Sequence, residues 1–151
     1  MNTSSCILCN RAATLDSAES GWIVQNQSWS VSTYPAMAVP GWVAAQTTRH
    51  TEGLADLNAT EAADLGPLLC VLSGAVMRVT NSRRVYTYSL GEGCPHTHIL
   101  MGPPTAGLRG NEFLSALMRR EESLTDIATS ERIANALRHA LTMPQTKGMT
   151  T

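Results

Sequence analysis

Side chains that commonly bind metals occur at three widely separated points of this sequence, and any fold has to account for them. Cys6 and Cys9 form a Cys-x-x-Cys pair near the start, His50 follows later, and a His-x-His pair occupies 96–98. A structural zinc site needs four sulfur or nitrogen ligands in a tetrahedron. The two cysteines, His50 and one histidine of the later pair would complete such a site. It would fasten the N-terminus to the rest of the domain.

The Cys-x-x-Cys pair alone leaves other interpretations open. It could be a redox pair, although such a pair usually lies where a strand meets a helix N-terminus, and here it precedes the first predicted strand. It could also be two ordinary buried cysteines. The first residues show no basic start and no apolar signal core, so we expect a cytoplasmic protein. In that compartment four cysteines are more often thiols or metal ligands than disulfides.

Composition fits one globular domain. The 151 residues are 43% hydrophobic and 15% charged, which is enough to build a core. The net charge is −1 and no basic stripe stands out, which argues against a nucleic-acid partner. No apolar run reaches the roughly 18–20 residues that cross a membrane. We therefore predict a single domain over residues 1–144, followed by a disordered tail over 145–151.

Five segments rich in β-branched and aromatic residues predict strands, and glycine, proline or polar residues separate them. The first two form a hairpin because only a short polar stretch lies between them. Hairpins with helices packed alongside make an α+β domain built on an antiparallel sheet of about five strands. We assign no functional role to the tryptophans, which suit a core. The predicted strands lie at 22–24, 29–32, 42–45, 85–88 and 96–101.

One long helix is predicted between the third and fourth strands. Asn58 followed by Glu61 forms a capping box, and apolar residues recur at helical spacing after it. Pro67 inside this pattern predicts a kink or a late start. Cys70 is assigned to the core side of the helix. Further helices are expected at the C-terminus, the last beginning near 129–130.

His96 and His98 form the second candidate site. On a strand, residues two apart point to the same face, so both imidazoles are expected to line one surface. The turn before them contains Gly91 and Gly93 and could present main-chain N–H groups to an anion. A nucleophilic imidazole beside such a turn suits phosphate chemistry. Two structural side chains, or two metal ligands, would also explain the pair.

Together these features resemble the histidine-triad (HIT) superfamily, whose signature places alternating histidines after a glycine-bearing turn. The strongest match is the segment 86–103, YTYSLGEGCPHTHILMGP. The early Cys-x-x-Cys, the Pro40-Gly41 turn, the strand ending at Arg49-His50 and the helix over 57–80 follow in the same order. The Pro-His-Thr-His run is also similar to the Pro-His-Pro-His core of galactose-1-phosphate uridylyltransferases, a branch of that superfamily. The resemblance covers roughly two-thirds of the chain, from Cys6 to about Pro104.

The resemblance implies a role for each candidate residue. The second motif histidine of the family is the nucleophile, which implies that His98 attacks the α-phosphorus of a nucleotide ester or anhydride and forms a nucleotidyl-histidine intermediate. The turn at Gly91 and Gly93 would hold phosphate oxygens. Family members are usually homodimers. In the uridylyltransferase branch a structural zinc is bound by residues that correspond here to Cys6, Cys9, His50 and His96.

Leu100 departs from the family pattern, which has histidine or glutamine at this third motif position. Leucine donates no hydrogen bond, and losing one such donor typically costs on the order of 10²–10³ in rate. Two alternatives to a nucleotide hydrolase or nucleotidyltransferase therefore stay open. One is a catalytically degenerate HIT domain that binds a nucleotide or partner, and the other is a HIT scaffold repurposed within a biosynthetic pathway.

A second register of the motif is also open. It takes Cys94, His96 and His98 as the triad and makes His96 the nucleophile. In that register the zinc lacks its fourth ligand unless Cys94 serves.

Overall fold

Five strands form one antiparallel sheet in the order β1-β2-β3-β5-β4. The structure, a computed structural model, describes residues 5–14, 22–105 and 107–142, so the tail predicted at 145–151 lies outside the described residues. The strands are β1 (Trp22–Gln25), β2 (Trp29–Thr33), β3 (Val43–Thr47), β4 (Tyr86–Tyr88) and β5 (His98–Gly102). The helices are α1 (Ile7–Thr14), α2 (Ala59–Thr80), α3 (Gly110–Met118) and α4 (Ile127–Thr142), with short 3-10 turns at Leu54–Asp56 and Glu122–Leu124. The predicted α+β class, with its long helix between strands and its C-terminal helices, is confirmed.

The sheet has two different faces because side chains alternate along each strand. We call the face that carries Val43 and Ala45 of β3 the back face; it packs against α2 and α4. The opposite, front face carries Trp42 and Ala44, which pack with Leu100 against α3. The sheet is therefore covered on both sides, and the three tryptophans are buried as predicted.

Helix α2 begins with the predicted capping box. Asn58 Oδ1 accepts a hydrogen bond from the Glu61 N–H at 2.9 Å, and the Glu61 carboxylate accepts one from the Asn58 N–H at 2.8 Å. This cap starts the helix at Ala59, and the helix then continues through Pro67. The late start suggested by the proline is not observed, because two reciprocal cap bonds satisfy the first turn.

The side of α2 that faces away from the sheet stays apolar. Cys70, predicted to lie in the core, is exposed, because it lies two positions, or about 200°, around the helix from the buried Leu72. Val71 beside it is 40% exposed. By length and composition alone this helix could cross a membrane, but in this fold its Leu72 and Val76 pack into the back-face core.

Helix α1 was not predicted from the sequence. Its Leu8 is buried, and Cys6 and Cys9 lie at its N-terminal end. The Cys-x-x-Cys pair therefore does meet a helix N-terminus, contrary to the prediction that a strand follows it. The surroundings of the two sulfurs indicate what they do there.

Candidate metal centre and reactive histidine

The structure brings the four predicted zinc ligands together. The ligand atoms of Cys6, Cys9, His50 and His96 all lie within 4.8 Å of one another. His96 Nδ1 is 3.4 Å from Cys6 Sγ and 3.5 Å from Cys9 Sγ, and His50 Nδ1 is 3.4 Å from Cys9 Sγ. Tetrahedral zinc at its usual bond lengths separates a sulfur from a nitrogen ligand by about 3.6 Å. The donor set and its spacing therefore fit a Cys₂His₂ zinc site.

Sheet topology explains why residues so distant in sequence meet here. His50 follows the end of β3, and His96 precedes the start of β5. Because β3 and β5 are antiparallel neighbours, the end of one and the start of the other lie at the same end of the sheet. Leu8 of α1 is buried, and Cys6 and Cys9 at the start of this helix lie beside the two histidines.

His96 is the most enclosed member of the cluster, at 2% exposed. Its Nε2 donates to the Thr47 carbonyl at 2.9 Å, so Nδ1 keeps its lone pair and directs it at the two sulfurs. Burial lowers the pKa of His96, which keeps the ring neutral, as metal binding requires. Since both ring nitrogens are engaged, His96 has none left to attack a substrate.

Burial of the Cys9 thiol opposes its ionisation. Burial raises the pKa of Cys9 to about 11, and the neighbouring Cys6 and Cys94 add to the effect. A metal ion reverses this effect, because a coordinated thiol loses its proton. Burial also raises the pKa of Cys94, whose sulfur lies outside the four-residue cluster. Four ligands are thus available without Cys94, which favours the register that makes His96 a ligand.

His98, the first residue of β5, has a different environment. Its Nδ1 lies 2.7 Å from the His96 carbonyl, so Nδ1 carries a proton, and in the neutral ring the lone pair lies on Nε2. The ring is half-buried. A neutral imidazole with one oriented N–H and one unprotonated nitrogen is the form in which histidine acts as a nucleophile.

The strand that was predicted to begin at His96 begins at His98. The two residues before it make loop hydrogen bonds. The Thr97 N–H donates to the Thr51 carbonyl at 2.6 Å, and the His96 N–H donates to the Cys94 carbonyl at 2.8 Å. His96 therefore lies outside the strand, and strand alternation does not fix the direction of its side chain.

Leu100 lies on the front face, two residues beyond His98. It is 3% exposed and belongs to the apolar cluster that includes Trp42, Phe113 and Leu117. Helix α3 therefore covers the third motif position. This side chain is a packing residue and faces no open site.

Gln46 was not singled out from the sequence, because the third strand was recognised by its apolar run at 42–45 and Gln46 follows that run. The strand runs on to Thr47, and Gln46 pairs with His98. The pair two positions earlier in the ladder, Ala44 with Leu100, lies on the front face, and alternation places Gln46 and His98 there too. The only sequence signal was a polar residue directly after an apolar run.

The predicted phosphate-binding turn is open to solvent. The Cys94 N–H donates to the Gly91 carbonyl at 3.2 Å, and both Gly91 and Gly93 are exposed. Neither glycine has a positive φ, whereas an anion-binding nest alternates right- and left-handed residues. The phosphate-binding role of this turn stays a prediction. A cleft of about 60 Å³ separates the turn from Cys6 and His50.

Known structures share this architecture. No protein-family model matches the sequence, and no curated protein matches it. A HIT-like protein from Bartonella henselae, involved in cell-cycle regulation, is 12% identical with a TM-score of 0.69, covering 93% of this chain and 99% of its own. A zinc-bound histidine triad family protein from Mycobacterium smegmatis is 15% identical with a TM-score of 0.68, covering 93% and 95%. The chain has the histidine-triad fold.

The HIT fold also links the chain to a larger protein. A uridylyltransferase mutant is 20% identical with a TM-score of 0.67, and the match covers 91% of this chain but 47% of that one. This chain thus spans about half the length of the uridylyltransferase. The fold predicted from the histidine motif is confirmed.

Proposed function

We propose that this chain is a zinc-containing HIT-fold hydrolase or nucleotidyltransferase that uses His98 to attack a nucleotide ester or anhydride. The tautomer of His98 carries this proposal. A 2.7 Å hydrogen bond from its Nδ1–H to the His96 carbonyl leaves the Nε2 lone pair for a phosphorus atom. The same bond stabilises the positive charge that the ring gains when Nε2 forms a new bond.

The reaction has two balanced steps. His98 Nε2 forms a bond to the α-phosphorus while the bond from phosphorus to the leaving-group oxygen breaks, and that oxygen keeps the electron pair and takes up a proton. Water or the hydroxyl of a second substrate then attacks the phosphorus of the nucleotidyl-histidine and releases its proton to solvent. The N–P bond breaks and returns the lone pair to Nε2. The main-chain N–H groups of the Gly91–Gly93 turn would bind the phosphate oxygens.

Cys6, Cys9, His50 and His96 would hold the zinc ion, whose role we propose to be structural. Bound there, it cross-links α1 to the end of the sheet and supplies no group to the reaction. Its influence on His98 is indirect. By fixing His96, the site also fixes the carbonyl that orients the His98 ring. The zinc-bound neighbour from Mycobacterium smegmatis supports this choice of metal.

The proposed partners follow from charge and exposed surface. A small nucleotide or phosphate ester suits a chain of net charge −1, whereas a nucleic acid would need a basic stripe. The exposed apolar side of α2 around Val71 is where a second copy would pack to form a homodimer. We also propose that the protein is cytoplasmic.

One observation favours a second candidate function. Leu100 is closed into an apolar cluster, so the motif's third position offers no hydrogen bond to a phosphate or leaving group. A HIT domain that binds a nucleotide or partner without turnover would tolerate this residue. A scaffold repurposed for other chemistry in a biosynthetic pathway would tolerate it too.

Covalent trapping tests the proposal. The zinc-loaded protein is incubated with ³²P-labelled nucleoside 5′-phosphoramidates of all four bases and with a labelled dinucleoside polyphosphate. We expect the intact protein to acquire label and His98→Ala to lose it at least about 10³-fold. His139→Ala, which alters an exposed histidine of α4, should label normally. If the intact protein binds a nucleotide but acquires no label, the chain is a catalytically degenerate HIT domain and not an enzyme of this kind. If it shows neither binding nor labelling, both proposed functions are wrong.

A further inference from the structure

Gln46 lies directly opposite His98 in the β3–β5 ladder. Residues opposite one another in an antiparallel pair have Cβ atoms about 4.5–5.5 Å apart and share a face. The Gln46 side chain therefore starts beside the His98 imidazole. It is 1% exposed and is one of the largest fully buried side chains of the described chain.

The Gln46 amide is incompletely bonded. Among the residues that the structure describes, its buried Oε1 has no hydrogen-bond partner. Its neighbour on the other side, Ser30 of β2, is engaged elsewhere: Ser30 Oγ accepts from Gln25 Nε2 at 3.3 Å and lies 3.4 Å from Thr48 Oγ1. A buried polar atom without a partner costs free energy and requires an explanation, such as a ligand that completes its bonding.

A phosphoryl group attached to His98 would need a hydrogen-bond donor, and the amide of Gln46 can provide one. Its oxygens carry negative charge, and enzymes stabilise such charge with preorganised donors in sites shielded from water. Leu100, the next residue of β5 on this face, is packed against α3 and donates nothing. The terminal torsion of glutamine is broad and nearly two-fold, so a half-turn exchanges its oxygen and its NH₂ group at little packing cost.

We propose that Gln46 is a substrate-binding residue whose side-chain NH₂ group donates a hydrogen bond to the phosphoryl group held at His98. The inference rests on the function proposed for His98 and adds the residue that recognises the transferred group. It involves one hydrogen bond and no covalent change. The low exposure of Gln46 makes that bond stronger than it would be in water.

Two substitutions and a matched control test this role. Gln46→Met keeps the length of the side chain and removes the donor, whereas Gln46→Glu keeps its shape and replaces the donor with an acceptor. Gln25→Met alters an exposed glutamine at the far end of the same row of residues. The measured quantity is the rate of covalent labelling by the ³²P-labelled nucleoside 5′-phosphoramidates. Zinc content and thermal unfolding are followed in parallel.

We expect Gln46→Met to label about 10²-fold more slowly, Gln46→Glu to be slower still, and Gln25→Met to match the intact protein. The zinc content and melting temperature of at least one Gln46 variant should equal those of the intact protein. Normal labelling of both Gln46 variants overturns the inference and leaves His98 as the nucleophile. Slow labelling that tracks lost zinc or stability in both variants overturns it in favour of a structural role. An intact protein that does not label overturns the function of His98, and this inference with it.

Discussion

His96 and His98 are two residues apart, yet their surroundings differ in every respect that matters for chemistry. His96 is 2% exposed, and its two nitrogens face the Thr47 carbonyl and the cysteine sulfurs. His98 is half-buried, and one nitrogen bonds to a carbonyl while the other keeps its lone pair. One short motif can therefore provide both a metal ligand, His96, and a nucleophile, His98, because only His98 belongs to the strand.

Removing one cysteine sulfur takes away a partner of His96 in the metal centre, and we expect this change to have the largest effect on stability. Cys9→Ala leaves three ligands, so the purified protein should lose its zinc and lose on the order of 4 kcal/mol of unfolding free energy. For a domain of this length that lowers the melting temperature by about 10 °C. Metal analysis and calorimetry measure both effects. The control is Cys70→Ala, an exposed cysteine of α2, and equal behaviour of the two variants would refute the metal centre.

A polar side chain at position 100 tests whether this position packs in the core or faces the substrate of His98. Leu100→Gln puts an amide into the apolar cluster under α3, where it finds no partner, so we expect a loss of about 2–3 kcal/mol. Leu100→Met, which keeps the side chain apolar, should lose less than about 1.5 kcal/mol. Denaturant unfolding provides the numbers. If Leu100→Gln folds as stably as the intact protein and labels faster, the third position faces the substrate and our account of it is wrong.

The smallest expected effect on stability concerns the loop that contains His50. Arg49 binds the buried carboxylate of Glu61 through two nitrogens at 3.1 and 2.8 Å. The Arg49 guanidinium holds the pKa of Glu61 below its usual value, and the Asn58 N–H adds to this against the effect of burial. Glu61→Gln keeps the cap acceptor and loses the charge, so we expect a loss of about 1 kcal/mol at pH 7.

The sign of the pH dependence follows from the direction of that pKa shift. A carboxyl group with a lowered folded pKa stabilises the fold above its unfolded pKa, near 4.3, and loses this contribution as the pH falls through the folded value. The stability difference between the intact protein and Glu61→Gln should therefore be largest near pH 7 and disappear in strong acid. Unfolding titrations from pH 7 to pH 2 measure it. A difference that stays constant would show that the charge plays no part.

Much of the fold could be predicted because local patterns and tertiary packing agree. The hairpin around Trp22 and Trp29 and the capping box at Asn58 are local signals, and the structure has both. Helix α1 was missed because eight residues give too short a pattern, and its position depends on burying Leu8. Cys70 was misplaced because α2 is apolar around most of its circumference, so periodicity alone does not identify the buried side.

The candidate site was predictable in its residues but not in its arrangement. Residue type and order selected Cys6, Cys9, His50 and one histidine of the 96–98 pair, and the resemblance to the HIT superfamily chose His96 as the fourth ligand. The ligand atoms of these four residues lie within 4.8 Å of one another. The separation of His96 from the strand could not be predicted, because it depends on a hydrogen bond from Thr97 to the distant Thr51 carbonyl. Gln46 joins the front face only because pairing with β5 extends β3 beyond its apolar run. Both features come from tertiary contacts that no local pattern contains.

The most direct test of the roles of the two histidines is to find which of them forms the covalent bond to the nucleotidyl phosphorus. The protein is labelled with a nucleoside 5′-phosphoramidate, digested at a pH that preserves N–P bonds, and the peptide containing both histidines is fragmented in a mass spectrometer. The account predicts that the whole nucleotidyl mass lies on His98, in protein that still contains its zinc. A nucleotidyl group on His96 would contradict it, because a metal ligand with both nitrogens engaged has none left to react.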